Sequence, residues 1–229
     1  MPKLRQKAAI FWEFRYYLLA AIIALVLWDT MLILPFRLFM VMVHEVCHAA
    51  AALATGGEVG SVQMAYDESG VTLTRGGIFP VIVSAGYVGS ACLGALLIYT
   101  GSLPQLQRIL LLLIGGTVMG MTMKYTPVGG IDFYLGIFGG LVLVSMALKS
   151  QRAGAAGSIW LGVMLCLYSL QDFWSDLLWH TEMTDAGILA GYIGIPILAY
   201  PIALLWVVIS MWVMYRAMRS LVRNRQRRR

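Results

Sequence analysis

The 229-residue chain is 60% hydrophobic and only 12% charged, with a mean hydropathy of +0.78; a soluble domain carries about twice that charge. This excludes a large soluble domain and implies one membrane-embedded domain over residues 1–229. The net charge of +6 comes largely from the chain ends, MPKLRQK and RSLVRNRQRRR, where adjoining apolar segments make the basic residues partners of the lipid bilayer rather than of nucleic acid.

Several apolar stretches approach the roughly 20 residues needed to cross about 30 Å of hydrocarbon, so the fold class is an all-α polytopic membrane protein. The apolar segment from Tyr17 to Leu27 has no small-residue cleavage site after it and reads as part of a retained first span, from about Tyr16 to Leu34. Pro35-Phe36-Arg37 separates it from a second helix over 36–55, which carries His44-Glu45-Val46-Cys47-His48 and ends at Thr55-Gly56-Gly57. Residues 58–77 differ in kind. VGSVQMAY and GVTLTR alternate as strands do around the turn-like Asp67-Glu68-Ser69-Gly70, predicting a short β-hairpin or edge strand after the second helix.

A span over 78–100 follows, rich in Gly, Ala and Ser, which permit close helix approach. Further spans are expected from Arg108 to Met123, Ile131 to Leu148 and Ser158 to Leu170. A polar segment with Asp172, Asp176, His180, Glu182 and Asp185 then precedes a last span from about Ile188 to Tyr215 and a basic tail over 216–229. Seven such spans put the termini on opposite sides. If two of them form one kinked or re-entrant element, six spans put both basic ends in the cytoplasm.

Positions i and i+4 of a helix share a face, so His44 and His48 can hold one metal ion while Glu45 projects beside it. Ionisable groups in mid-bilayer cost roughly 2.5 to 3.5 kcal/mol each and persist mainly where function requires them. The pattern reads as a zinc hydrolase site, with Glu45 as the general base that activates zinc-bound water. Cys47 is expected to pack rather than bind, and the widely spaced Cys47, Cys92 and Cys166 do not form a disulfide framework. A catalytic zinc needs a third protein ligand. Asp132 follows the Pro-Val-Gly-Gly break and Asp185 enters the last span; both can also cap a helix, and the residues alone leave the choice open. Asp172, Asp176 and His180 are expected at the interface.

These residues resemble the site-2 protease family of intramembrane zinc metallopeptidases. HEVCHAAAALATGG, the β segment and SAGYVGSACLGALL carry the likeness over about residues 36 to 100. Tyr125 to Phe133 resembles, in its Pro-to-Asp spacing, the family motif whose Asp is the third zinc ligand, which implies Asp132; the Asn and the Gly of that motif are absent. The order of HEVCH, TGG, SAGYVG and Thr184-Asp185-Ala186 is similar to a compact bacterial and plant branch, which implies Asp185, with Asp132 as the alternative. The resemblance implies Zn2+ as cofactor, a membrane-protein substrate cleaved within the bilayer, and a multi-pass location in a bacterial cell membrane. A catalytically silent relative that binds metal or membrane-protein partners is the competing reading. An ion or proton transporter is a third, against which stands the lack of an internal repeat.

Overall fold

The computed structural model describes residues 2–179 and 184–227, with side chains described over 14–171 and 184–223. Backbone N–H and C=O groups find no water in hydrocarbon and must bond within their own segment, so the apolar stretches are helical. In chain order the elements are α1 (Pro2–Val26), α2 (Leu34–Ala54), β1 (Glu58–Met64), β2 (Gly70–Arg75) and α3 (Phe79–Ser84), which continues through a π-helical turn (Ala85–Gly89) into α4 (Ser90–Tyr99). There follow α5 (Pro104–Tyr125), α6 (Ile131–Lys149), α7 (Gln151–Trp179), α8 (Asp185–Ile193) and α9 (Ala199–Arg227).

Among the described residues, six elements are long and apolar enough to cross a membrane: α2, the α3–α4 unit, α5, α6, α7 and α9. The protein is thus a polytopic helical membrane protein with one small antiparallel sheet. Two of the expected spans differ in extent from the helices found. α1 ends at Val26 rather than Leu34, and the part of it whose side chains are described, Phe14–Val26, is a shorter apolar stretch. The last expected span is divided by Gly194, whose φ of 84° is left-handed, into the nine-residue α8 and the long α9. A short 3-10 turn at Pro196–Leu198 joins the two. Of the polar group before α8, His180 and Glu182 lie outside the described residues, as do the side chains of Asp172 and Asp176. A Cβ added at Gly101, in the turn between α4 and α5, would meet both the Tyr17 hydroxyl and Leu221, so α1 and the far end of α9 lie at the same end of the bundle.

The centre is α2 and α7. Each has 61% of its span buried, against 28% for α6 and 22% for α9. Lipid tails are as apolar as leucine, so helices associate here by close packing rather than by escape from water. Gly115 on α5 and Gly140 on α6 illustrate this, since a Cβ on Gly115 would come within 2.7 Å of the Gly140 carbonyl oxygen. The largest cluster gathers Leu38, Met40, Met42 and Val43 of α2 with Leu97, Leu111 and Met164.

In the hairpin, Glu58 stands opposite Arg75 and Met64 opposite Gly70. Its turn is closed by Asp67 Oδ1, which accepts from the Ser69 amide at 3.0 Å and the Ser69 hydroxyl at 2.6 Å. These bonds hold the Asp67 carboxyl below its usual range. Glu68, with a left-handed φ of 68°, pairs with Arg37 Nη2 at 2.9 Å near the start of α2. At the other end Gly57 and Gly76 pack backbone to backbone, and Thr126 donates to the Val62 carbonyl at 2.8 Å. A strand rises about 3.3 Å per residue and a helix 1.5 Å, so a six-residue strand runs beside roughly thirteen residues of helix. The hairpin therefore lies back along α2 and passes the site.

Candidate metal centre

His44 and His48 are one turn apart on α2, 8% and 6% exposed, with ring centroids 4.8 Å apart. Each is constrained by a different neighbour. His48 Nδ1 lies 2.7 Å from the Ile82 carbonyl oxygen on α3, so this nitrogen carries a proton and Nε2 is the one turned to the site. The His44 and Tyr87 rings meet in a T-shaped contact, with centroids 5.0 Å apart and planes at 83°.

A third side chain that could serve as a donor comes from a distant part of the chain. Asp185 is the first residue of α8, whose start is capped by the Thr184 hydroxyl accepting from the Gly187 amide at 3.1 Å. Its Oδ2 lies 3.1 Å from His44 Nε2 and 3.1 Å from His48 Nε2. The three side chains offer donor atoms all within 4.8 Å of one another, and among the described residues they are the group that could hold a metal ion. Asp132 is buried, at 8% exposure, but is engaged locally, its Oδ1 accepting from the Phe133 amide at 2.9 Å. It takes no part in the convergence on His44 and His48. Cys47 packs against Gly89, whose Cβ would meet Cys47 Cβ at 3.3 Å and Sγ at 3.4 Å.

These residues fit zinc. Two imidazoles and a carboxylate are a donor set of catalytic zinc sites, and bonds of about 2.0 to 2.2 Å at tetrahedral angles put donor atoms roughly 3.3 Å apart. The observed spacing of 3.1 Å between Asp185 Oδ2 and each Nε2 is close to that. Space is kept open opposite the histidines by Gly86, in the π-helical turn: a Cβ there would press on His44 Nε2 and His48 Nε2. Such turns occur often at functional sites. Here it brings a bare backbone face to the donor atoms, and the Ser90 hydroxyl caps the widened turn by donating to the Gly86 carbonyl at 2.6 Å.

Glu45 is 5% exposed. Its Oε2 accepts from the Thr72 hydroxyl at 2.6 Å, and the Glu45 backbone carbonyl is also within reach of that hydroxyl at 3.0 Å. Its other oxygen, Oε1, sits where Gly70 has no side chain. A second cluster fastens α8: Val83, Tyr87, Ala186, Leu189 and Trp206 pack together, with Tyr87 and Trp206 stacked at 5.7 Å. Sequence reasoning placed Gly70 in the hairpin turn and Gly86 among the small residues of the next span, without a role at the site, and did not single out Thr72 or Ile82. Glycine and threonine in a strand, and a backbone carbonyl, carry no signal until the fold sets them beside the α2 motif.

A model of the Peptidase M50B-like family matches residues 17–217. None of the curated proteins or solved structures matches the chain.

Proposed function

The chain belongs to the Peptidase M50B-like family, that is, to the site-2 protease family of intramembrane metallopeptidases, and from that premise we propose that it is a zinc-dependent protease cleaving membrane-protein substrates within the bilayer. The observation that carries this reading is the convergence of His44, His48 and Asp185 beside the buried Glu45. Two imidazoles, a carboxylate and a neighbouring base suit peptide hydrolysis better than mere binding, which has no use for the base.

In this reading His44 and His48 bind through Nε2, Asp185 binds through its carboxylate, and the Ile82 carbonyl fixes the His48 tautomer. Zinc held there supplies a Lewis acid that makes a water acidic and polarises the peptide carbonyl. The Glu45 carboxylate takes the proton of the attacking water and passes it to the leaving amide nitrogen as the C–N bond breaks. The use of Asp185 rather than Asp132 supports a place in the compact bacterial and plant branch that the Thr184-Asp185-Ala186 segment resembles.

A helical substrate has its carbonyls bonded internally and must unwind before one can reach the site. β2 pairs only with β1 among the described residues, and Val71 and Leu73 along it are more than half exposed. An unwound segment added along β2 is taken as a strand, its backbone groups satisfied as they leave the helix.

The test is to purify the protein, quantify bound zinc, and compare cleavage of a model transmembrane segment by the wild type and Glu45→Gln. Zinc retained and cleavage lost in Glu45→Gln is the expected result. A zinc-loaded wild type that cleaves no tested segment favours the silent relative.

A further inference from the structure

The first residues of β2 meet the Glu45 carboxylate at both of its oxygens. The Thr72 hydroxyl donates to Oε2 at 2.6 Å, and Gly70 leaves the space in which Oε1, Cδ and Cγ of Glu45 lie; a Cβ there would stand 2.8 Å from each of the two carbons. We infer that Gly70 and Thr72 are positioning residues that cradle the Glu45 carboxylate and aim it for proton transfer, a role that rests on Glu45 being the general base proposed above.

Glu45 needs such help because of where helix geometry puts it. It follows His44 directly, so its Cβ leaves α2 about 100° round from the metal-binding face. A glutamate side chain has three rotatable bonds, and freezing them costs close to the maximum for any side chain. A general base must nevertheless stand within about 2.6 to 3.2 Å of the proton it takes. The bond to Oε2 and the seat at Gly70 together restrict where the carboxylate can lie. A threonine hydroxyl suits the task, since it donates to a carboxylate without bringing a charge.

The donor is itself held firmly. Thr72 pairs with Val62 across the sheet, and the carbonyl of Val62 is bonded by Thr126 at 2.8 Å. Arg37 and Glu68 tie the turn of the same hairpin to α2 at 2.9 Å. Gly70 is not among the residues with positive φ, so the backbone there accepts alanine, and the three atoms nearest the added methyl all belong to the glutamate.

The experiment compares purified, zinc-loaded wild type with Thr72→Val, Thr72→Ser, Gly70→Ala and Glu45→Gln on one transmembrane peptide. It records zinc stoichiometry, KM and kcat, together with the 13Cδ resonance of Glu45, assigned by its disappearance in Glu45→Gln. Thr72→Val keeps the shape and strand preference of the side chain without the hydroxyl. Its kcat is expected to fall about ten- to hundredfold, within the share a general base contributes, with zinc content and KM within about twofold of wild type. Thr72→Ser restores most of the rate, and Gly70→Ala slows kcat comparably with zinc retained. The Glu45 resonance moves in Thr72→Val and returns towards its wild-type position in Thr72→Ser.

Wild-type kcat in Thr72→Val, no recovery in Thr72→Ser, or loss of zinc along with activity in both Thr72→Val and Gly70→Ala overturns the cradle. If Glu45→Gln cleaves as fast as wild type, or no protein cleaves, the general-base reading fails instead. The resonance then still decides the contact, and an unmoved signal in Thr72→Val overturns it.

Discussion

His44 and His48 stand on a helix enclosed by the largest cluster of the protein, whereas Asp185 is delivered by a nine-residue helix held through a small separate cluster. The first two donors are fixed relative to each other by helical periodicity and are bounded by Ile82, Tyr87 and Gly86. The third depends on a cap at Thr184 and on Leu189, Trp206 and Tyr87 packing together. Half of the site is thus a property of one rigid segment. The other half is a docking arrangement, and the two should respond differently to substitution.

The largest expected effect comes from the rigid half. His44→Ala or His48→Ala removes a donor that nothing nearby replaces, and zinc binding and cleavage fall by about a thousandfold or more; metal analysis of the purified variants checks this. Next, Gly86→Ala pushes a methyl group onto both Nε2 atoms while leaving the helix intact. Zinc affinity is expected to drop about a hundredfold with the circular dichroism unchanged, and a variant that binds zinc normally would show that the open face opposite the histidines is dispensable.

In the docked half, Asp185→Ala lowers zinc affinity about ten- to hundredfold, while Asp132→Ala leaves it within about twofold. The reverse result would break the comparison, because the third donor would then come from α6. Trp206→Ala removes the stacking partner of Tyr87 and loosens α8 without touching a donor. Loss of a buried aromatic costs about 3 kcal/mol of packing, but only part of it reaches the site, and zinc affinity is expected to fall about tenfold by competition with a chelator. The mildest is Thr184→Ala, which deletes the cap of α8 at about 1 kcal/mol. A fall in zinc affinity of about fivefold is expected, and none at all would mean that α8 is held by packing alone.

Much of the bundle could be read from the chain because its cause is local. Apolar runs bounded by Pro35 and Gly129-Gly130 become helices with ends near those residues, since a bilayer offers the backbone no other partner. The alternation in 58–77 likewise becomes the hairpin. The misreadings fall where local pattern and tertiary placement part. Apolarity continues from Tyr16 to Leu34 and from Ile188 to Tyr215, yet α1 ends at Val26 and a left-handed Gly194 separates α8 from α9. Hydropathy measures how apolar a segment is and says nothing of where its backbone turns.

What the sequence determined by itself was the pair of histidines on one face of a membrane helix with a glutamate beside them, because a spacing of four residues and a helical backbone leave no freedom in that relation. Which of Asp132 and Asp185 stands beside the two histidines was decided only by tertiary structure, as were the bare face at Gly86 and the seating of Glu45 on Gly70 and Thr72. Asp132 and Asp185 are both aspartates at helix starts, and no local property separates them. The difference is that α8 packs against α3 and α9, which sets its first residue 3.1 Å from two imidazoles that lie 141 and 137 positions earlier in the chain.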